Sequence, residues 1–296
     1  DIDITAVVSM VDSGGSTGRL RDEYGVLPPG DILKCLLALS PHREYARKIL
    51  QKRFKNNHKL AEHSAGNMLL TMLSGYCNDF AEGVKALGEI LDIKGRVLPV
   101  TTDKATLVAE LTDGNWLFGE SAIDVPRGDQ REKIKRTFLV PHHHNSVTVY
   151  PEVLRSIKEA DLIIFGPGDL YTSIIPNLLV PGVGEEIKNS SAKLVYVANI
   201  MSKFGETDNF SAKDFVKKIE EYLPRETDYA IFNSQRPNSD IMQKYEVQKA
   251  YYIEPPVENW RKGRVVKGRF LNVSGGVVRH DDTELAKAIK ELLPRK

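Results

Sequence analysis

Residues 9–31, SMVDSGGSTGRLRDEYGVLPPGD, follow an apolar run and set Gly14, Gly15 and Gly18 around Ser16 and Thr17, with Arg19 and Arg21 directly behind. Glycines let backbone N–H groups approach a ligand, and successive N–H groups form a concavity that holds an anion. Ser16 and Thr17 add hydroxyl donors and Arg19 adds charge, which is chemistry suited to phosphate. The spacing fits neither a Walker A loop nor the GxGxxG fingerprint. Taken alone, the segment reads equally well as an ordinary loop.

Two further turns have the same character. FGPGDLYTS, 165–173, sets Gly166, Pro167 and Gly168 at the end of an apolar run, which forces a tight turn, and continues with Asp169 and Leu170. Tyr171 offers a ring that could stack on a base or sugar, and Thr172 and Ser173 offer hydroxyls. The competing reading is a turn whose tyrosine merely packs. ANIMSKFGET, 198–207, closes a strand with Asn199 and carries Glu206 and Thr207 behind a glycine. Turns of this kind at equivalent ends of one sheet point jointly to a nucleotide-type ligand.

The carboxylates near these turns are Asp12, Asp31, Asp169 and Glu206. Asp12 and Asp31 together could hold Mg2+, which takes one or two carboxylates plus phosphate oxygens. In HSAGN, 63–67, His63 and Asn67 are spaced to share a helix face, and Asn67 could look into a cleft or simply mark a helix start. PHHHN, 141–145, reads as a surface turn, because successive side chains on a strand alternate and structural zinc sites need separated ligands. No metal ligand is assigned, no Ser-His-Asp or Cys-His arrangement is visible, and no general base can be named.

These turns need elements to hold them. ITAVVSMV, 4–11, reads as a buried strand. A helix follows at 31–39 with Asp31 as its N-cap, then helices at about 42–56, 64–76 and 78–92, the last capped by Asn78. ATLVAEL-TDG-NWLFGE has the pattern of a hairpin and IKRTFLV, 134–140, of a further strand, so 101–148 is expected to be a small β-rich insertion. Beyond it, helical PEVLRSIKEA, strand DLIIF, helical VGEEIKNS, strand KLVYVANI, helical SAKDFVKKIEEYL and strand YAIFNS alternate. Ser211 and Asp214 resemble a capping box at the start of the last helix. The expected fold is α/β, a Rossmann-like doubly wound and mostly parallel sheet, in one domain over 1–296.

The 296 residues, 41% of them hydrophobic, suffice for one large core. Lys+Arg and Asp+Glu number 41 and 40, a net charge of +1, so the basic excess of a phosphate-neutralising nucleic-acid binder is missing. Cys35 and Cys77 sit in apolar helical runs and are expected to be buried free thiols in a reducing, cytoplasmic compartment. No apolar run approaches the length of a membrane span.

VDSGGSTGRLRDEYGVLPPGD, HSAGN, GRVLPVT, GPGDLYTSIIPNLLVPG and NIMSKFGET occur in the order found in the CofD-like family, and resemble most its gluconeogenesis-factor, or YvcK-type, branch. The resemblance runs from about 1 to 290. It implies a Rossmann-like sheet with a nucleotide cleft and a UDP-sugar ligand such as UDP-N-acetylglucosamine. It further implies a regulatory link to gluconeogenic growth, cell wall and cell shape, and dimers in many members. No catalysis is established for that branch as a class. The other branch, the 2-phospho-L-lactate transferases, implies Mg2+ and a nucleotide-diphosphate donor. Under the resemblance Gly14, Gly15, Ser16, Thr17 and Arg19 face the diphosphate, Asn67 and Asn199 orient sugar or base, and Gly166, Gly168, Leu170 and Tyr171 shape a wall. The sequence departs from the family pattern at Ser13, where a second Asp is usual, at Asp169, where Ser is usual, and at Phe204, where Pro is common. Asp169 would repel a phosphate unless a cation intervenes. A strand and Gly-Gly-Thr-Gly element is expected upstream of Asp1, so strand 4–11 should flank an unfilled strand position.

Overall fold

The first strand forms as β1 (Thr5–Val8) and pairs in parallel with β2 (Arg96–Pro99), Val8 opposite Pro99. In this computed structural model the described residues are 2–14, 18, 26–54, 63–257 and 259–294. Among them β1 has no strand on its other edge. Gly15, Ser16, Thr17, Arg19 and Arg21 lie outside the described residues.

Between β1 and β2 run α1 (Gly30–Leu39), α2 (Arg43–Leu50), α3 (Ala65–Cys77) and α4 (Phe80–Ile90). Ile32, Leu33, Leu36 and Leu37 recur at helical spacing and bury α1 against the core. Two cap assignments need correction. The N-cap of α1 is Pro29, while Asp31 sits in the first turn and pairs with Lys34 at 2.8 Å. The cap of α4 is Asp79, whose Oδ1 accepts from Glu82 N at 2.8 Å. Asn78 instead ends α3 in the left-handed region at φ 52°, a conformation asparagine tolerates better than most residues. The second helix is also shorter than expected, ending at Leu50. Cys35 and Cys77 are free but only half-buried, which corrects the expectation of buried thiols. Burial, helped by the charge of Asp31, pushes the Cys35 thiol up to about 11.

The hairpin and the following strand form an antiparallel sheet in the order β4 (Trp116–Phe118), β3 (Ala105–Leu111), β5 (Ile134–Pro141). Leu107, Ala109 and Leu111 alternate into the core, while Glu110, on the other face, binds Lys135 and Arg136. The short helix α5 (Glu120–Asp124) hangs from β4.

After α6 (Pro151–Glu159) the chain builds a parallel sheet in the order β6 (Leu162–Phe165), β7 (Lys193–Val197), β8 (Tyr229–Asn233), β9 (Val265–Gly268). The crossovers carry α7 (Ile175–Leu178) and α8 (Val183–Asn189), then α9 (Ala212–Glu220), then α10 (Ser239–Val247). The expected capping box at Ser211 and Asp214 is present. Side chains alternate with the strand period of two. Leu194, Tyr196, Ala230 and Phe232 join Phe215, Val216 and Ile219 of α9 in the main core. Val195, Val197 and Ile231 face the other way, onto Leu285, Ala288 and Ile289 of α11 (Asp282–Leu292), which follows the hairpin β10 (Leu271–Ser274) and β11 (Val277–His280). Helices therefore cover both faces, which is the Rossmann-like, doubly wound arrangement.

Candidate functional site

In parallel sheets, ligands bind beyond the strands' C-terminal ends. Three chain segments leave such ends, one from the two-stranded β1–β2 sheet and two from the four-stranded sheet rather than all from one sheet as expected, and side chains hold them together. After β1, the Asp12 carboxylate turns the chain by accepting from Gly14 N at 2.8 Å. The next anchor comes from α5. Ser13 N donates to Glu120 Oε2 at 3.3 Å, and Ser121 N donates to Ser13 Oγ at 3.0 Å. Burial, reinforced by the negative charge of Asp12, raises the Glu120 carboxyl above its ordinary range.

After β6, Gly166 takes φ 83°, where an added Cβ would stand 2.8 Å from the Val197 carbonyl oxygen. Asp169 then caps a single wide turn, Leu170–Ile174, its carbonyl accepting from Ser173 N and Ile174 N. After β7, Lys203 N donates to Thr207 Oγ1 at 2.8 Å, which folds the third turn back on itself.

The segments after β6 and β7 meet α5 at Lys203, and the segment after β1 joins them through its bonds to α5. The Lys203 ammonium contacts Asp169 at 2.7 Å, Glu206 at 3.0 Å and Asp124 of α5. Oxygens of Asp124, Asp169 and Glu206 all lie within 4.8 Å of one another. Glu206 is fully buried; it also accepts from Tyr171 N at 3.2 Å and Thr172 Oγ1 at 3.4 Å. Burial pushes its carboxyl up to about 7 against the pull of Lys203. For Lys203, burial is outweighed by Glu206 and Asp169, so the ammonium holds its proton more tightly than usual. The cation that Asp169 required is thus supplied by the chain itself. Arg131 stands beside the same cluster. Its Nη1 donates to the Ile123 carbonyl at 2.6 Å, while buried Nε and Nη2 have no partner.

Asp12, Gly14, Gly166, Gly168, Asp169, Leu170, Thr172, Glu206 and Thr207 therefore belong to these converging turns. Asp31, Asn67 and Asn199 have no hydrogen bond or ion pair to the Lys203 cluster. Asp12 and Asp31 instead both act on Lys34, whose ammonium they hold above its ordinary range against the effect of burial. Asn67 lies in the first turn of α3, its N–H donating to the N-cap Ser64 at 3.2 Å, so HSAGN is a helix start. Asn199 keeps its side-chain oxygen buried without a partner. Tyr171 is the clear correction. Its side chain is 0% exposed in the core, because the wide turn points the ring inward and leaves the backbone N–H for Glu206. Leu170 is buried in the same core, so neither side chain is open to a ligand in this structure. The histidine run is an exposed turn.

Sequence reasoning missed Ser13 as an anchor, along with Glu120, Ser121, Asp124, Arg131 and Lys203. Lys203 lay inside a turn already singled out. The only cue for α5 was a Gly-Glu-Ser directly after the hairpin.

The 2-phospho-L-lactate transferase CofD family matches residues 1–270. The gluconeogenesis factor of Bacillus subtilis (strain 168) is 39% identical over 295 residues, covering 99% of this chain and 91% of that protein. The gluconeogenesis factor of Halalkalibacterium halodurans is 38% identical over 300 residues, with 99% and 90% covered. The crystal structure of a UPF0052-family protein from Bacillus halodurans superposes with a TM-score of 0.89 at 36% identity, over 97% of this chain and 91% of that one. The order of the glycine turns, the doubly wound sheet and these matches along almost the whole chain agree: the protein belongs to the CofD family, among the gluconeogenesis factors.

Proposed function

We propose that this protein is a regulatory nucleotide-sugar sensor of the cytoplasm, taking a UDP-sugar such as UDP-N-acetylglucosamine and acting in carbon metabolism and in cell-wall and cell-shape control. The observation that carries the reading is the convergence of two strand-end turns and α5 on Lys203, with the turn after β1 tied to α5, which sets a cation between carboxylates at the edge where such sheets take nucleotides. Gly14, Gly15, Ser16, Thr17 and Arg19 receive the diphosphate. Gly166 and Gly168 form the wall beside it, and Asn67 and Asn199 orient sugar or base. No described helix is long and apolar enough to cross a membrane.

Asp124, Asp169 and Glu206 support a second reading, a Mg2+-dependent transferase of a phosphorylated group from a nucleotide-diphosphate donor. Carboxylate oxygens suit Mg2+, which would offset phosphate charge there once it displaced the Lys203 ammonium from them. Calorimetry with UDP-N-acetylglucosamine and with GDP, with and without Mg2+, separates ligand classes, and a turnover assay on the same mixtures separates sensor from enzyme. Arg19→Ala should weaken nucleotide-diphosphate binding by about tenfold to a hundredfold, the worth of a charge-assisted hydrogen bond. An absence of heat with every nucleotide would refute both readings.

A further inference from the structure

The histidine run that the crevice does not use borders a cavity of about 210 Å³. One wall is the β2–β3 connection, with Thr102 and Lys104. The other is the turn after β5, with His143, His144 and Ser146. The walls are fixed by main-chain and side-chain bonds. Ala105 pairs with Pro141, His142 N donates to the Lys104 carbonyl at 3.0 Å, and Thr101 Oγ1 donates to the Thr148 carbonyl at 2.6 Å.

The lining is rich in donors. Lys104 brings an ammonium, which donates only, and Thr102 and Ser146 bring hydroxyls. His143 and His144 line the space, whereas the third histidine, His142, is engaged with Thr106 Oγ1 at 2.8 Å. The one acid in the lining, Asp103, turns its Oδ2 to Thr148, accepting from N at 2.7 Å and from the hydroxyl. A metal fits poorly. The only grouping of three or more potential ligands among the described residues is the one at Asp124, Asp169 and Glu206. Pockets for whole small molecules run to roughly 300–1,000 Å³, so this cavity suits one oxyanion group rather than a nucleotide. Donors arriving from two walls suit a tetrahedral oxyanion.

We propose that this cavity binds the phosphate group of a small phosphorylated metabolite, at a site separate from the crevice. None of its lining residues bonds to the Lys203 cluster. Both sites nevertheless lie where β1 and β2 end, since Val100 N donates to the Val8 carbonyl at 2.9 Å.

The test is a titration of the full chain with inorganic phosphate at constant ionic strength, following the imidazole resonances by NMR. The His143 and His144 signals should shift together and saturate, while those of His42 and His280 stay still. Lys104→Ala should weaken the apparent affinity about tenfold or more. Adding UDP-N-acetylglucosamine should leave the shifts in place. A linear drift without saturation would overturn the proposal, and so would an unchanged affinity in the Lys104 variant. Loss of the shifts on adding the UDP-sugar would place the phosphate in the crevice and equally overturn it. Whether the UDP-sugar binds at all is read by calorimetry, so the two readings fail separately.

Discussion

Lys203→Met removes the ammonium that contacts Asp124, Asp169 and Glu206. Glu206 is the residue that feels this most. In the native protein burial lifts its carboxyl from the ordinary 4.5 to about 7, with Lys203 the largest influence pulling the other way. An acid whose folded value lies above its unfolded one binds its proton more tightly in the native state. The stability this provides is complete below the unfolded value and is lost as pH rises through about 7. The interval corresponds to about 3 kcal/mol. Without Lys203 the attraction disappears while the repulsion from Asp169 stays, so the carboxyl rises further and the loss on going alkaline grows. At about pH 8 the variant should be less stable than the parent by about 3 kcal/mol, the lower range for breaking a buried pair. At about pH 5, with Glu206 protonated, the gap should shrink to about 1 kcal/mol, as for a partly exposed pair with the remaining carboxylates. Urea unfolding at the two pH values measures both gaps. Glu206→Gln, which cannot ionise, should lose the part of the alkaline decline that Glu206 causes. Equal destabilisation by Lys203→Met at both pH values, or an unchanged decline in Glu206→Gln, would refute the reasoning.

Three other outcomes follow from the packing. Gly166→Ala should cost about 1–3 kcal/mol in urea unfolding, because φ 83° and the Val197 carbonyl both oppose a side chain there. Tyr171→Phe removes a buried hydroxyl that has no partner, so stability should hold or rise by up to about 1 kcal/mol and a UDP-sugar titration should not change. Weaker binding in that variant would mean that the hydroxyl does reach the ligand. Arg261 grips Glu220 with two bonds of 2.6 Å, and Arg261→Met should cost about 2–3 kcal/mol near neutral pH. Those bonds hold the Glu220 carboxyl below its ordinary range despite burial, so that penalty should fade as acid protonates it, which a pH series of melts would show.

The strands were legible because Val and Ile runs such as LIIF and KLVYV end in turn residues, and because alternation separates Leu194 and Tyr196 from Val195 and Val197. The capping box at Ser211 was legible because its parts are three residues apart. Neighbouring candidates blurred the cap at Asn78 and Asp79: both residue types cap helices, and only the left-handed φ assigns one to each end. The turns were visible as glycine clusters, but their wiring was not. Pattern reasoning works within a few turns of chain, whereas Asp124 and Lys203 meet across 79 residues and Ser13 and Glu120 across 107. The inward ring of Tyr171 was hidden because a polar aromatic after Gly-Pro-Gly gives no sign of which way the backbone points it.

Those spans bear on synthesis. A ribosome delivering this chain produces the glycine turn after β1 first, α5 about a hundred residues later, and Lys203 later still. Contacts between such distant segments form only after long loops have closed, so they come late in folding. Until Lys203 has emerged and docked, Asp124 and Asp169 lack the ammonium that joins them. A chain that stops or is cut short of that lysine keeps the glycines after β1 and β6 but never ties the turn after β6 to α5 through it.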